Sequence, residues 1–219
     1  MTAYNTKGTK NRIIPKSATP TEIVPTAISS ANPAVVTVGD VTGITAGDFA
    51  VCTNTGFSEL DGKSFIVGTV DGGANTFELL GSDTSATVDT LDASPTIDIY
   101  DQADSIIVCL ASIDIGAASS SNISTATFCD PSASLPGAST PGTVTMTGYT
   151  DKTDAGLAEL ILAAEDGENR YFYIFMSNEQ GYLVAELAFS AISFSVPLEG
   201  GYGYTVTATQ VVPFKWIHD

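Results

Sequence analysis

The residue types that most often do chemistry are scarce in this sequence, and their spacing serves it poorly. Histidine occurs once, at His218. A Ser-His-Asp or Cys-His arrangement needs an imidazole beside its nucleophile, and the usual zinc sites draw on several His and Cys ligands. The three cysteines, Cys52, Cys109 and Cys129, have no CxxC spacing to make up the shortfall. Asp101 with Asp104, and Glu165 with Asp166 and Glu168, come nearest to an acid/base pair or a calcium loop. Neither group has calcium-loop spacing, and solvated turn acids account for both. "LEGGYGYT" (198–205) is Gly-rich, but it lacks a GK[ST] ending and a following helix, so it reads as a hairpin turn and not a phosphate loop. Asn122 opens an N-I-S sequon with no signal ahead of it. The run Tyr171, Phe172, Tyr173, Phe175 could stack on bases, but its acidic surroundings favour core packing or a subunit interface. The expectation is therefore a protein that is not an enzyme, with no cofactor and no metal.

Composition bounds what such a chain can be. Its 219 residues suffice for one large domain or two small ones, and a hydrophobic content of 43% is enough for a sizeable core. Thr, Ser, Gly, Ala and Val dominate, which favours strands. A net charge of −17 sets the body against nucleic acid and anionic membrane alike. The opening residues carry no apolar stretch of the secretory kind. The longest apolar run, "LAELILAA", is too short to cross a bilayer and is interrupted by Glu159. Cytosolic synthesis with free thiols is the expectation, and Cys109 would face Cys129 only if the chain turned near 118–120.

The positive charge is unevenly placed. Lys7, Lys10, Arg12 and Lys16 are half of the eight cations, and from Glu22 onward 25 carboxylates face the other four. Such a leader binds nucleic acid, lies inert in solvent, or docks on the acidic surface of a neighbouring copy. Docking is favoured, because so acidic a body competes poorly for DNA. Ile13 and Ile14 would supply the apolar anchor, since exposed ion pairs contribute only about 0–1 kcal/mol each. On that reading, deleting residues 1–16 leaves the monomer's melting temperature almost unchanged and stops assembly.

Three segments must position these groups. Residues 1–25, punctuated by Pro15, Pro20 and Pro25, read as an extended arm. Residues 26–97 alternate short β runs ("AVVTVGDV", "DFAVCTN", "KSFIVGTV", "NTFELLG") with Gly/Asp/Asn turns, as a small barrel-like β domain does. Residues 98–219 hold the β runs "DSIIVCLASIDIG" and "SNISTATFCD", a structureless Pro/Gly/Ser loop ("PSASLPGASTPG") and the alternating strand "GTVTMTGYT". In that strand Val144, Met146 and Gly148 share one face and Thr143, Thr145 and Thr147 the other; Thr205, Thr207 and Thr209 likewise oppose Val206 and Ala208. One helix is predicted, with Asp151, Thr153 or Asp154 as its cap and Gly167 as its stop. Its apolar stripe is Leu157, Leu160, Ile161 and Ala164, with Glu159 and Glu165 pointing elsewhere. Three β runs follow it.

Two stretches resemble known families. "ISSANPAVVTVGDVTGITAGDF" through "KSFIVGTVDGGANTFELLG" is similar to a small β domain that recurs in phage virion proteins and is labelled by likeness to the first catalytic-cysteine half-domain of ubiquitin-activating enzymes. The likeness implies a fold only; Cys52 matches no catalytic cysteine. The stretch from "GTVTMTGYTDKTDAGLAELILAAEDG" through "RYFYIFMSNEQGYLVAELAFSAISFSV" to "GYGYTVTATQV" resembles the tail tube proteins of long-tailed, lambda-type bacteriophages. It shares their order of strand, helix, Gly/Asp turn, aromatic strand, small-aromatic-small step (Ala188, Phe189, Ser190, then Ile192) and last strand.

The resemblance implies a mainly β fold with one α-helix: a tail-tube β-sandwich or barrel core plus an inserted small β-barrel-like domain. The insert departs from the family pattern, and the outer wall is its natural place. The function implied is that of a structural virion protein. Hexameric rings would stack into a hollow tail tube, and DNA would pass through without specific binding. Other tail proteins would be partners: a tape measure inside the tube during assembly, a terminator and a tip. The protein would be assembled in the host cytoplasm and reside in the virion tail, away from membranes. The arm residues Lys7, Lys10, Arg12, Ile13, Ile14 and Lys16 would make subunit contacts, and Pro131, Leu135, Pro136, Gly137 and Pro141 contacts between rings. Asp114 and Glu186 would face the lumen, or equally the outer solvent. The alternative is a virion decoration or adhesin-like protein that touches glycans or host surface.

Overall fold

A computed structural model describes residues 9–87, 89–124, 134–151, 153–176, 181–196 and 201–217. The chain is mainly β, with antiparallel strands and one α-helix among the described residues. It begins with β1 (Lys10–Ile13) and then runs through β2 (Thr21–Ile23), β3 (Ala27–Ile28), β4 (Ala34–Thr37), β5 (Phe49–Thr53), β6 (Ser64–Asp71), β7 (Thr76–Leu80) and β8 (Thr96–Tyr100). A 3-10 turn at Gln102–Asp104 leads to β9 (Ile106–Val108) and β10 (Ser112–Ile115). Then come β11 (Ser119–Ser124), β12 (Ser134–Thr140), β13 (Thr143–Tyr149), the helix α1 (Ala155–Asp166), β14 (Asn169–Met176), β15 (Gly181–Ser195) and β16 (Gly203–Ile217).

Two compact units share the chain. The first takes the residues up to Val108, Arg170–Ala185 and the segment from Phe214; the second takes Cys109–Asn169 and Glu186–Pro213. Within the first unit one sheet has the order β2-β8-β5-β6-β7-β4-β3. Laid flat, seven strands would hold β2 and β3 about 29 Å apart. Yet only residues 24–26 join those two edges, which reach about 14 Å at full stretch. The sheet therefore curls into a barrel-like form around Val36, Cys52, Phe65, Phe77, Leu79 and Ile97, all buried. Its strands overrun the expected 26–97 block at both ends. β2 comes from the arm and pairs Thr21–Ile23 with Ile97–Ile99 of β8, so the domain is entered and left through neighbouring strands.

The runs "FAVC" and "SFIVG" are buried at every position, which means both faces of β5 and β6 are covered. One face looks into the barrel. On the other, Phe49, Val51 and Ile66 pack with Ile14, Tyr173, Val184 and Ile217. The first unit is thus the small domain fused to the β1, β14 and β15 strands through a second apolar core, not an appended module. Phe49 also meets the rings of Tyr171 and Tyr173 at centroid distances of 5.3 and 5.6 Å. Within the aromatic run, Phe172 and Tyr173 are fully buried, which makes these two core residues.

The second unit holds the helix. Asp154 caps it, its carboxylate accepting from the Gly156 N–H at 2.8 Å. Asp151 is spent on a turn of its own with Thr153. Gly167 ends the helix in the left-handed region, φ 68°, which only glycine adopts without cost. The buried side is Gly156, Leu157, Glu159, Leu160 and Ala163. Ile161 and Ala164 are only half-buried and Leu162 is exposed. The predicted stripe is thus rotated, and Glu159, expected to point elsewhere, lies on the buried side. The expected strand "DSIIVCLASIDIG" is also two strands. It breaks at 109–111, where the Cys109 carbonyl accepts the Tyr204 hydroxyl at 3.1 Å in place of a neighbouring strand. β9 and β10 then become the two terminal strands of a sheet ordered β10-β13-β16-β15-β14-β1-β9.

Candidate assembly surface

In the second unit the alternation of β13 and β16 builds a surface of hydroxyls. The register sets Thr143 opposite Thr209, Thr145 opposite Thr207 and Thr147 opposite Thr205. β10 adds Ser112 opposite Thr147 and Asp114 opposite Thr145. The Ser112 and Thr147 hydroxyls share a hydrogen bond of 2.7 Å. From β15, Ser190 and Ser193 donate to the carbonyls of Thr207 and Thr205 at 3.1 and 3.4 Å. The reverse face of the same strands is apolar and closed: Val144, Met146, Val206 and Ala208 are fully buried. Gly148 belongs to that face because the Tyr204 ring lies against it, where a β-carbon would overlap the ring. Burial pushes the Tyr204 phenol up to about 12, and the Asp154 carboxylate adds to the rise.

Among the described residues of β10, β13 and the second-unit part of β16, this surface carries hydroxyls, one carboxylate at Asp114, and no Lys or Arg. Glu186, the other acid expected to face a lumen, is half-buried on β15 and accepts from the Asn169 side-chain amide at 2.8 Å.

The arm residues take roles within their own chain. β1 lies between β14 and β9, with Lys10 opposite Phe175, Arg12 opposite Tyr173 and Ile107, and Ile13 opposite Phe172 and Ile106. Ile13 is 0% and Ile14 3% exposed, so the pair expected to anchor on a neighbour is consumed by its own core. The Arg12 guanidinium donates to the Gln102 carbonyl at 3.0 Å and to Ser105 Oγ at 2.6 Å. Ser105 Oγ in turn accepts from the Tyr173 hydroxyl at 2.8 Å. The Gln102 N–H donates to Asp48, a fully buried carboxylate that also accepts from the Thr45 N–H at 2.7 Å. Arg12 therefore clamps the exit of the small domain. Lys10 and Lys16 are exposed, and Lys7 lies outside the described residues.

The segment expected to be a structureless loop is partly a strand. β12 pairs with β11 in a two-stranded sheet, setting Leu135 opposite Ile123 and Pro136 opposite Asn122, with Gly137 on the same strand. Pro141 is exposed just beyond it; Pro131 and Cys129 lie outside the described residues. Ser, Pro and Gly gave no β signal here; the pairing of one weak strand with another created it. Cys109 is an exposed free thiol and Cys52 a buried one. Desolvation pushes the Cys52 thiol far up, which leaves it inert as a nucleophile. Sequence reasoning did not find Asp48, Gln102 or Ser105. They lie up to 93 residues from Arg12, and no local pattern links them.

No family model matches the chain, and no curated protein matches it. Solved structures similar over part of it include the following two. One is a chain from the tail of an empty GTA particle with C6 symmetry: 14% identical, over 49% of this chain and 81% of that one, TM-score 0.39. The other is the SPP1 tail tube: 15% identical, over 52% of this chain and 70% of that one, TM-score 0.38. Likeness at this level assigns neither family nor function.

Proposed function

We propose that this chain is a structural subunit of a long-tailed phage's tail tube, forming hexameric rings that stack into a hollow conduit for DNA. The observation that carries the reading is the hydroxyl surface that β10, β13 and β16 build in the second unit, where the described residues of these three strands carry one charged side chain, Asp114. A conduit must face DNA without gripping it. Threonine and serine stay hydrated and offer phosphates no cation, while six copies at −17 each give about −100 per ring. β10 is terminal in its sheet, and a terminal strand is a template for pairing with another chain. Closing a ring of copies through such edges removes the exposed edge from each. The sequence resemblance over 142–211 supports the same reading. Tape measure, terminator and tip proteins would be the further partners, and Leu135, Pro136, Gly137 and Pro141 the contacts toward the next ring.

Negative-stain imaging with light scattering on purified protein tests it: rings and tubes are expected. A monomer or trimer that binds glycans at every concentration tried would instead identify a surface-binding virion protein. A second test addresses the lining. Tubes carrying Thr145→Lys and Thr207→Lys should retain duplex DNA at low salt and release it at high salt, while unaltered tubes retain none.

A further inference from the structure

The first unit contains a cleft of about 580 Å³ whose lining brings together two aromatic rings, an exposed cation and a carboxylate. The rings are those of Phe175 and Tyr182, which meet at 5.3 Å with a 52° tilt. Both residues are half-buried. Lys10 stands opposite Phe175 across β1 and β14 and is exposed. The β6–β7 hairpin also lines the cleft, at the place where the register shifts between Val67 and Val70. There the Glu78 carboxylate, half-buried, accepts from the Thr69 N–H at 3.2 Å, which fixes where it sits. Arg12 and Gln102 line the cleft as well, but they are engaged within the fold. Arg12 donates to the Gln102 carbonyl and to Ser105, and the Gln102 side-chain amide donates to the Gly47 carbonyl at 3.4 Å. Arg12 thus contributes positive charge to the cleft while its hydrogen bonds hold the chain together.

Each of these groups answers a different part of one kind of molecule. Aromatic rings pack against the C–H face of a sugar ring. A carboxylate accepts from hydroxyls. An ammonium donates a strong, charge-assisted hydrogen bond to a carboxylate. A sugar acid presents all three partners at once. An acidic peptide brings carboxylates without a row of hydroxyls, and Glu78 repels it. A neutral sugar leaves Lys10 without a charged partner. Among the described residues the charged side chains of the lining are Lys10, Arg12 and Glu78, so the local charge is positive although the whole chain carries −17. Charges more than about 8 Å away are largely screened at physiological salt.

We propose that this cleft binds an acidic saccharide, with a uronate carboxylate on Lys10, hydroxyls on Glu78 and one sugar face against Phe175 and Tyr182. The proposal goes beyond the tube reading and does not rest on it. Every lining residue belongs to the first unit, whereas the hydroxyl surface belongs to the second.

Isothermal titration calorimetry on the full-length protein at physiological salt tests it, with circular dichroism as the check on fold. The probes are trigalacturonic acid, its neutral counterpart galactotriose, and a glutamate tripeptide with blocked ends that matches the charge of the first. Trigalacturonic acid should bind, and the other two should bind about tenfold more weakly or worse. Lys10 is exposed, so Lys10→Gln should stay folded, yet it should bring the two saccharides within about twofold of each other. Lys10→Arg should keep the preference for the acid. Phe175→Leu should weaken both saccharides alike, by about two- to tenfold. No binding of trigalacturonic acid to the folded parent would overturn the proposal. So would a preference for the acid that survives Lys10→Gln, or binding that Phe175→Leu leaves untouched. Equal binding of the tripeptide would make the cleft a peptide site and overturn it too. Tube formation is read separately by imaging, so either reading can fail while the other stands.

Discussion

Deleting residues 1–16 separates two roles for the basic leader, and the structure reverses what the sequence suggests. Read alone, the leader is an arm whose loss spares the monomer. In the fold it supplies β1, an interior strand of its sheet between β9 and β14. Ile13 and Ile14 are buried, and burying an isoleucine contributes about 1.5–3 kcal/mol. Arg12 donates to Gln102 and Ser105 from one guanidinium nitrogen, and this charged contact, counted once, contributes about 1.5–3 kcal/mol. The combined loss, about 5–9 kcal/mol, rivals the entire stability of a typical domain, about 5–15 kcal/mol. The truncated chain should therefore lose the cooperative thermal transition of the first unit, followed by circular dichroism and by limited proteolysis. Arg12→Met keeps an apolar stem and loses only the charged bonds, so its melting temperature should fall by about 3–12 °C. A truncated protein that melts within a few degrees of the full chain would refute the clamp and return the arm to its docking role.

Three further outcomes are expected. Gly148→Ala puts a methyl against the Tyr204 ring and should destabilise by about 1–3 kcal/mol in urea unfolding, whereas Tyr204→Phe should lose only about 0.5–1.5 kcal/mol. Glu22 stands opposite Asp98 across β2 and β8, and burial together with Glu22 raises the Asp98 pKa. A raised carboxyl means stability that is present below the unfolded pKa and lost as pH rises through the folded one. Glu22→Gln should therefore stabilise by about 0.2–1 kcal/mol at pH 7, with the gain vanishing in acid once Asp98 is protonated; an equal gain at both ends would contradict the pairing. Thiol labelling with peptide mapping should modify Cys109 at neutral pH and spare Cys52 until the chain is denatured.

Legibility followed the range of the interactions concerned. The helix with its Asp154 cap and Gly167 stop is set by contacts within four residues; the sequence shows the stop and narrows the cap to Asp151, Thr153 or Asp154. Strand alternation in β13 and β16 is equally local, so the hydroxyl surface could be read directly from "TVTMTGY" and "YTVTATQ". What failed depended on partners far along the chain. The helix stripe rotated because tertiary packing buries Glu159, which a polarity pattern assigns to solvent. The run from Asp104 to Gly116 broke because Cys109 found Tyr204, 95 residues away. Ser-rich residues 134–140 became a strand because a hairpin partner was available.

The sequence by itself determined this protein's mainly β character, the position of its helix and the sorting of threonine from apolar residues in β13 and β16. Each is a matter of composition or short period, and none needs the chain to fold back on itself. Tertiary structure alone decided the fate of the basic leader. Four cations and two isoleucines look the same whether they grip a neighbour or close their own core. Only the pairing of β1 with β9 and β14, and the reach of Arg12 to Gln102 and Ser105, shows that the chain spends Arg12, Ile13 and Ile14 on itself and leaves Lys10 at the mouth of a cleft.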